Sequence, residues 1–224
     1  MKNNPQSGNV LFYILFAIAL LAGLTFAVNR GGQVSTATLS ADQARVAASE
    51  ILDYAGAVSG AVTKLKLRGC TETQVSFQNV ATGATYTNGS SPTDNSCRVF
   101  DPAGAQVNWT ESSTFNATAV ELTGGCNVAS VGTTSSDLIM VIEDIDLTTC
   151  RQINERLGVA AIADAPVTLP ATCDYAAFTG TYPATGTITV TGKLGRTAAC
   201  VRGTGTADDL YQNKYHFYQV LLAR

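Results

Sequence analysis

One stretch constrains this chain more than any other. Between Lys2 and Arg30 there is no charged residue, and residues 10–28 read VLFYILFAIALLAGLTFAV. As a helix rising about 1.5 Å per residue, this stretch would extend roughly 28 Å, close to the roughly 30 Å of a bilayer's hydrocarbon core. In such a core only an internally hydrogen-bonded helix is comfortable, since lipid offers backbone groups no partner. It predicts a membrane-spanning helix over residues 9–30. Lys2 and the amino terminus favour a cytoplasmic start. An ordinary secretory signal is the competing reading, with Thr25, Phe26 and Ala27 as a tolerable cleavage site, but the run exceeds the 7–15 apolar residues usual there.

Composition narrows the class of the remaining chain. Lys plus Arg number 14 and Asp plus Glu 17, for a net charge of −3. A nucleic-acid grip needs clustered Lys and Arg to displace counterions, so no nucleic-acid partner is expected. Charged residues make up only 14%, against about 25% in ordinary soluble domains. The single His216 leaves little scope for His-dependent catalysis or His-rich metal sites. It lies in KYHFYQ, where a strand histidine is the simpler reading, and GxSxG is absent, so no enzyme and no cofactor are expected.

Six cysteines, Cys70, Cys97, Cys126, Cys150, Cys173 and Cys200, are spaced too widely for a CxxC motif or a zinc finger. They are read as disulfides, which persist in oxidising compartments. That places the residues after about 30 outside the cytoplasm. Fifteen connectivities are open. Sequential pairing, Cys70–Cys97, Cys126–Cys150 and Cys173–Cys200, is favoured; each loop of roughly 25–30 residues would contribute about 3.5 kcal/mol in the loop-entropy model.

The leader MKNNPQSG is short, polar and basic, ends in Gly8, and runs straight into the apolar stretch. This arrangement resembles the prepilin leader of the type IV pilin and pseudopilin class. The resemblance implies cleavage by a prepilin peptidase after Gly8, leaving Asn9 as an N-methylated mature start. It also implies assembly with other pilin-like subunits through a helix opening Val10, Leu11, Phe12, Tyr13, Ile14. The class usually carries Glu at the fifth mature position, here Tyr13, a departure that suits a minor or tip subunit. The segments RGCTETQVSFQN, NSCRVFDPAG, LIMVIEDIDLTTCRQINERLG and FYQVLLAR resemble an uncharacterised pilin-like family of alphaproteobacteria, a likeness that implies architecture and no activity.

Residues 31–39 read as a flexible linker opening with Gly31 and Gly32, and Ser40 with Gln43 fits a capping box. Ala44, Ala47, Ala48, Ile51, Ala55, Val58, Val62 and Leu65 recur at three- and four-residue steps, an amphipathic stripe that predicts a helix over 40–68 ended by Gly69. The stripe would bury against the chain's own sheet or against neighbouring subunits. Beyond Cys70 the texture turns β. Strands are predicted at 73–78, 98–101, 107–110, 119–122, 137–142, 187–193 and 215–222, with a short helix at 149–157 closed by Gly158.

Three weaker signals carry structural alternatives. Glu143, Asp144 and Asp146, and separately Asp208 and Asp209, could bind Ca²⁺ through oxygen ligands or form solvated turns; no metal site is expected. The stretch Gly203 to Thr206 lacks the Lys of a phosphate loop. Asn88, Asn108 and Asn116 head glycosylation sequons.

The expected fold is therefore α+β: a long N-terminal helix, membrane-embedded in its first half and amphipathic in its second, packed on an antiparallel β-sheet head braced by disulfides. The expected organisation is a leader over 1–8, a transmembrane or filament-core helix over 9–30, a linker over 31–39 and a head over 40–224, with helix 40–68 and a β-rich part 70–224. The expected location is the bacterial inner membrane, single-pass, with the head in the periplasm or on an extracellular filament. The alternative function is an anchored periplasmic binding domain that never polymerises.

Overall fold

The computed structural model describes residues 7–159, 176–183, 186–190, 195–203 and 214–224; in the N-terminal stretch, side chains are described for residues 13–18, 20 and from 41 onward. Helix α1 is assigned to Ser7–Leu67. The chain divides into two units, Met1–Gln43 and Ala44–Arg224. In the first, the described apolar side chains of α1 are exposed.

In the second unit, the periodic stripe of α1 explains its packing. Ala44, Ala48, Ile51, Ala55, Val58, Val62 and Leu65 are buried, while intervening residues such as Glu50 and Lys64 face solvent. The helix ends in a Schellman motif. Gly69 takes a φ of 99°, which a side chain would oppose; its N–H bonds to the Lys66 carbonyl at 3.0 Å and the Cys70 N–H to the Leu65 carbonyl at 3.1 Å.

The sheet, among the described residues, comprises β1 (Ala119–Val128), β2 (Asp137–Ile145), β3 (Thr187–Ile188), β4 (Ala198–Arg202) and β5 (Tyr215–Leu222) in the order β3-β1-β2-β5-β4. Pairs β1/β2, β2/β5 and β4/β5 are antiparallel, but β1/β3 is parallel. Helix α2 (Leu147–Arg156) comes directly after β2, capped by Asp146, whose carboxylate accepts the Thr149 N–H at 2.9 Å.

Central β2 is apolar on both faces, which explains its unbroken LIMVI. Leu138, Met140 and Ile142 join the larger core with Ile51, Val58, Val62 and Leu65 of α1 and Phe217 of β5, whereas Ile139 and Val141 join a second core with Tyr218, Val220 and Val201. A bulge lets β1 serve both. Thr123 lies opposite Ile139 but Cys126 opposite Asp137, so Gly124 and Gly125 stand against the single Leu138. Val120 and Leu122 consequently face the larger core, and Cys126 and Val128 the second. Gly124 is required here: a Cβ would lie 2.8 Å from the Thr181 carbonyl oxygen and 3.0 Å from the Phe178 ring.

The expected architecture needs correction on several points. The sheet is curled and mixed, not antiparallel, because β3 joins β1 in parallel. The helical segment that packs on the sheet is the stretch of α1 from Ala44 to Leu65, not a long helix with a membrane-embedded half. The single-pass inner-membrane anchor is not supported either: among the described residues no helix is long and apolar enough to cross a membrane. A crossing needs an unbroken apolar stretch of about 17–25 residues, and the side chains described in residues 10–28 are those of 13–18 and 20. The single-pass inner-membrane location expected for this chain is therefore not supported.

Disulfide connectivity also differs from strict sequence order. Cys70 pairs with Cys97 as expected, but Cys150 pairs with Cys200, not with Cys126. The sheet order explains this: α2, directly after β2, lies against β4, which is distant in sequence. Cys126 is disulfide-bonded as well, and Cys173 lies outside the described residues.

Candidate functional site: the apolar start of α1 and the disulfide-braced head

The processing and assembly residues come first. Gly8, Asn9, Val10, Leu11 and Phe12 lie in the helical backbone of α1, with their side chains outside the described set. Tyr13 is 64% exposed and Phe16 57%, and Ile14, Leu15, Ile18 and Leu20 are similarly open. Residues 13–18 are consecutive, and at 3.6 residues per turn they pass all the way round the helix. This segment therefore presents apolar surface in every direction and has no polar face to turn to water. It is a surface that calls for cover.

The head gives its polar residues other work. His216 is buried in β5, opposite a second bulge in which Glu143 and Asp144 stand against this single residue. Its Nδ1 accepts the Asp144 N–H at 3.4 Å. Asp144, at a φ of 57°, is turned toward Lys214, whose Nζ lies 2.6 Å away, and toward the Thr118 hydroxyl at 3.2 Å. The Lys214 ammonium holds the Asp144 carboxyl below the usual range, first by its hydrogen bond and then by its charge. Asp146 is the cap of α2. The acidic trio is thus divided between a bulge and a helix cap, and no group of three metal-ligating side chains occurs among the described residues. Asp208, Asp209 and residues 204–206 lie outside the described residues.

Sequence reading missed several residues that matter more. Glu121 on β1 lies diagonally across from Glu143 on β2, since Ala119 is the residue opposite Glu143. Burial, then the Glu143 charge, pushes the Glu121 carboxyl up to about 7. The Tyr86 hydroxyl bonds to the Val120 carbonyl at 3.4 Å and receives the Leu122 N–H at 3.3 Å, so it occupies the outer edge of β1. Asn154 does the same for β4. Its Nδ2 donates to the Cys200 carbonyl and its Oδ1 accepts the Cys200 N–H, both at 2.9 Å. It lies one turn beyond Cys150, whose disulfide grips the same strand residue. A small polar residue on the buried face of a predicted amphipathic helix was the available signal.

Asp137 is fully buried, and its carboxylate accepts the Val128 and Arg224 N–H groups, each at 2.9 Å. Burial raises its pKa against those two bonds. Arg224 also pairs with Glu72 at 2.9 Å and stacks over the Tyr182 ring at 3.9 Å.

The sequons separate. Asn88 is buried, with its Nδ2 donating to the Thr73 and Val75 carbonyls at 2.7 and 2.8 Å. Asn108 and Asn116 are exposed.

Comparison with known proteins adds no family: no family model, curated protein or solved structure matches this chain.

Proposed function

We propose that this chain is a pilin-like structural subunit that assembles with copies of itself, or with related subunits, through the apolar start of α1. The observation supporting this is the apolar surface at residues 13–18 and 20, exposed all round the helix. Helices of this kind are stable in water only when something apolar covers them, and burial releases about 25 cal/mol per Å². Other subunits presenting the same segment provide matching cover. The disulfide-braced head fits a structural role, because its buried acids, its histidine and its amides are engaged in holding bulges, caps and strand edges. On this reading the chain is not an enzyme, and it belongs with the type IV pilin and pseudopilin class. A prepilin peptidase cleaves after Gly8 and leaves Asn9 as a methylated first residue. Tyr13, in place of the usual Glu, fits a minor or tip position.

The test is a benzophenone amino acid placed at Phe16 in the full chain in its native cells, followed by irradiation and electrophoresis. A ladder at multiples of the chain mass, or discrete heteromers with related subunits, is expected. A monomer alone would sink the proposal. In parallel, Gly8→Ala should accumulate a precursor longer by the leader, read by intact mass; normal maturation of that variant would remove the peptidase from the scheme.

A further inference from the structure

The two disulfides with both partners described sit in different surroundings. All four cysteines belong to the larger core, but Cys150 and Cys200 are only 1% and 0% exposed. Cys70 and Cys97, at 7% and 4%, both line a cavity of about 320 Å³, together with Arg68, Gln74, Pro92 and Ser96. Cys70 also lines a second cavity of about 520 Å³ on the side of Lys66 and Glu72. The cavity that reaches both sulfur-bearing residues carries one charged side chain, Arg68, and no acid. The Arg68 guanidinium is held there by a 2.7 Å bond to the Gly104 carbonyl. Asp94, between Pro92 and Ser96 in sequence, directs its carboxylate to the Ser96 N–H at 3.0 Å.

We propose that the Cys70–Cys97 disulfide is a thiol-exchange site for small anionic thiols. The cavity borders both cysteines and is large enough for such a molecule, and Arg68 on its lining would attract the anion and favour the thiolate that leaves. In the step, the incoming thiolate sulfur bonds to one cysteine sulfur while the S–S bond breaks. The other cysteine sulfur departs with the electron pair and takes a proton from water. The product is a mixed disulfide and one free thiol, with no net oxidation; a second thiol reverses or completes the exchange.

The loop closed by this bond keeps its other anchors when it opens. Val75, Phe77 and Tyr86 are in the core, Asn88 holds the Thr73 and Val75 carbonyls, and Ser76 bridges to Arg98. Exchange is therefore compatible with the folded head. Cys150–Cys200, by contrast, joins α2 to β4, and neither of its cysteines is among those lining this cavity. This inference does not depend on assembly through α1.

The experiment incubates the oxidised full chain with glutathione, which is anionic, or with cysteamine, which is cationic, under native conditions. Free thiols are then trapped by alkylation and located by peptide mass. Glutathione should add to Cys70 or Cys97 at least about tenfold faster than to any other cysteine, and faster than cysteamine adds there. In Arg68→Gln the preference for the anion should disappear while exchange at the same pair continues. First reaction at Cys126, Cys150, Cys173 or Cys200, equal rates at all sites, or reaction only in denaturant would each overturn the proposal. An anion preference unchanged in Arg68→Gln would remove the role given to that side chain.

Discussion

Helix α1 carries two kinds of apolar sequence, and they meet opposite fates. Around residues 13–20 the apolar residues are consecutive, and their described side chains stand in the open. From Ala44 to Leu65 they recur every three or four positions and are buried against the sheet. The difference shows what periodicity encodes. A stripe tells a helix which side its own chain will cover; an unbroken run has no such side, so its cover has to surround it. Composition alone would treat both stretches as simply hydrophobic.

The strongest way to break this contrast is to put the same charge in both stretches. Val58→Asp places an unpaired carboxylate in a fully buried site of the larger core. It should cost at least about 4 kcal/mol and leave the head unfolded or molten by near-UV circular dichroism. Phe16→Asp should leave the head's thermal midpoint unchanged and abolish the photo-crosslinked ladder. A drop in the midpoint for Phe16→Asp would mean that the exposed stretch stabilises the head after all.

A smaller effect is expected inside the head. Asn154→Ala strips both backbone groups of Cys200 of their partner, at about 2–3 kcal/mol by urea denaturation, since buried groups left unpaired bear their desolvation penalty. A loss below about 0.5 kcal/mol would show that water replaces the amide.

The smallest effect depends on pH. Glu121 holds its proton up to about 7 in the folded chain, against an ordinary 4.5. The folded state therefore binds the extra proton between these values, and stability falls as pH rises from about 4.5 to about 7, then levels off. Because the group is partly exposed, solvent screening reduces the effect to about 1 kcal/mol. Glu121→Gln should gain about that much at pH 8 and nothing at pH 4, as read by thermal midpoints across the range. The same gain at both pH values would point to packing and not to charge.

What could be read from sequence tracks how local each feature is. The stripe of α1, the stop at Gly69, the buried strand at Leu138–Ile142 and the last strand were legible because spacing and termination depend on neighbours in the chain. Helix α2 begins at Leu147 and not at 149 because its cap is Asp146, not Thr149. Beta texture misled at 73–78, 98–101 and 107–110. Residues 73–78 and 98–101 form turns joined by one isolated bridge, and 107–110 has no regular structure; side chains such as Asn79 and Asp101 bond nearby backbone N–H groups, and Asn95 and Gln106 are left-handed. The predicted strand 119–122 in fact continues through Gly124 and Gly125 to Val128. A glycine pair inside an alternating run signals a bulge as readily as an end. The Cys150–Cys200 pairing and the meeting of Glu121 with Glu143 arise from sheet order and register. Those are long-range properties, with no trace in local spacing.

The amide of Asn154 also limits how heads can meet. An open sheet edge is a template on which any extended chain can add, one strand after another. Here the hydroxyl of Tyr86 and the amide of Asn154 sit in the places that an incoming strand's backbone would take on β1 and β4. An extended chain arriving at these positions therefore meets the Tyr86 hydroxyl or the Asn154 amide where it would have to pair.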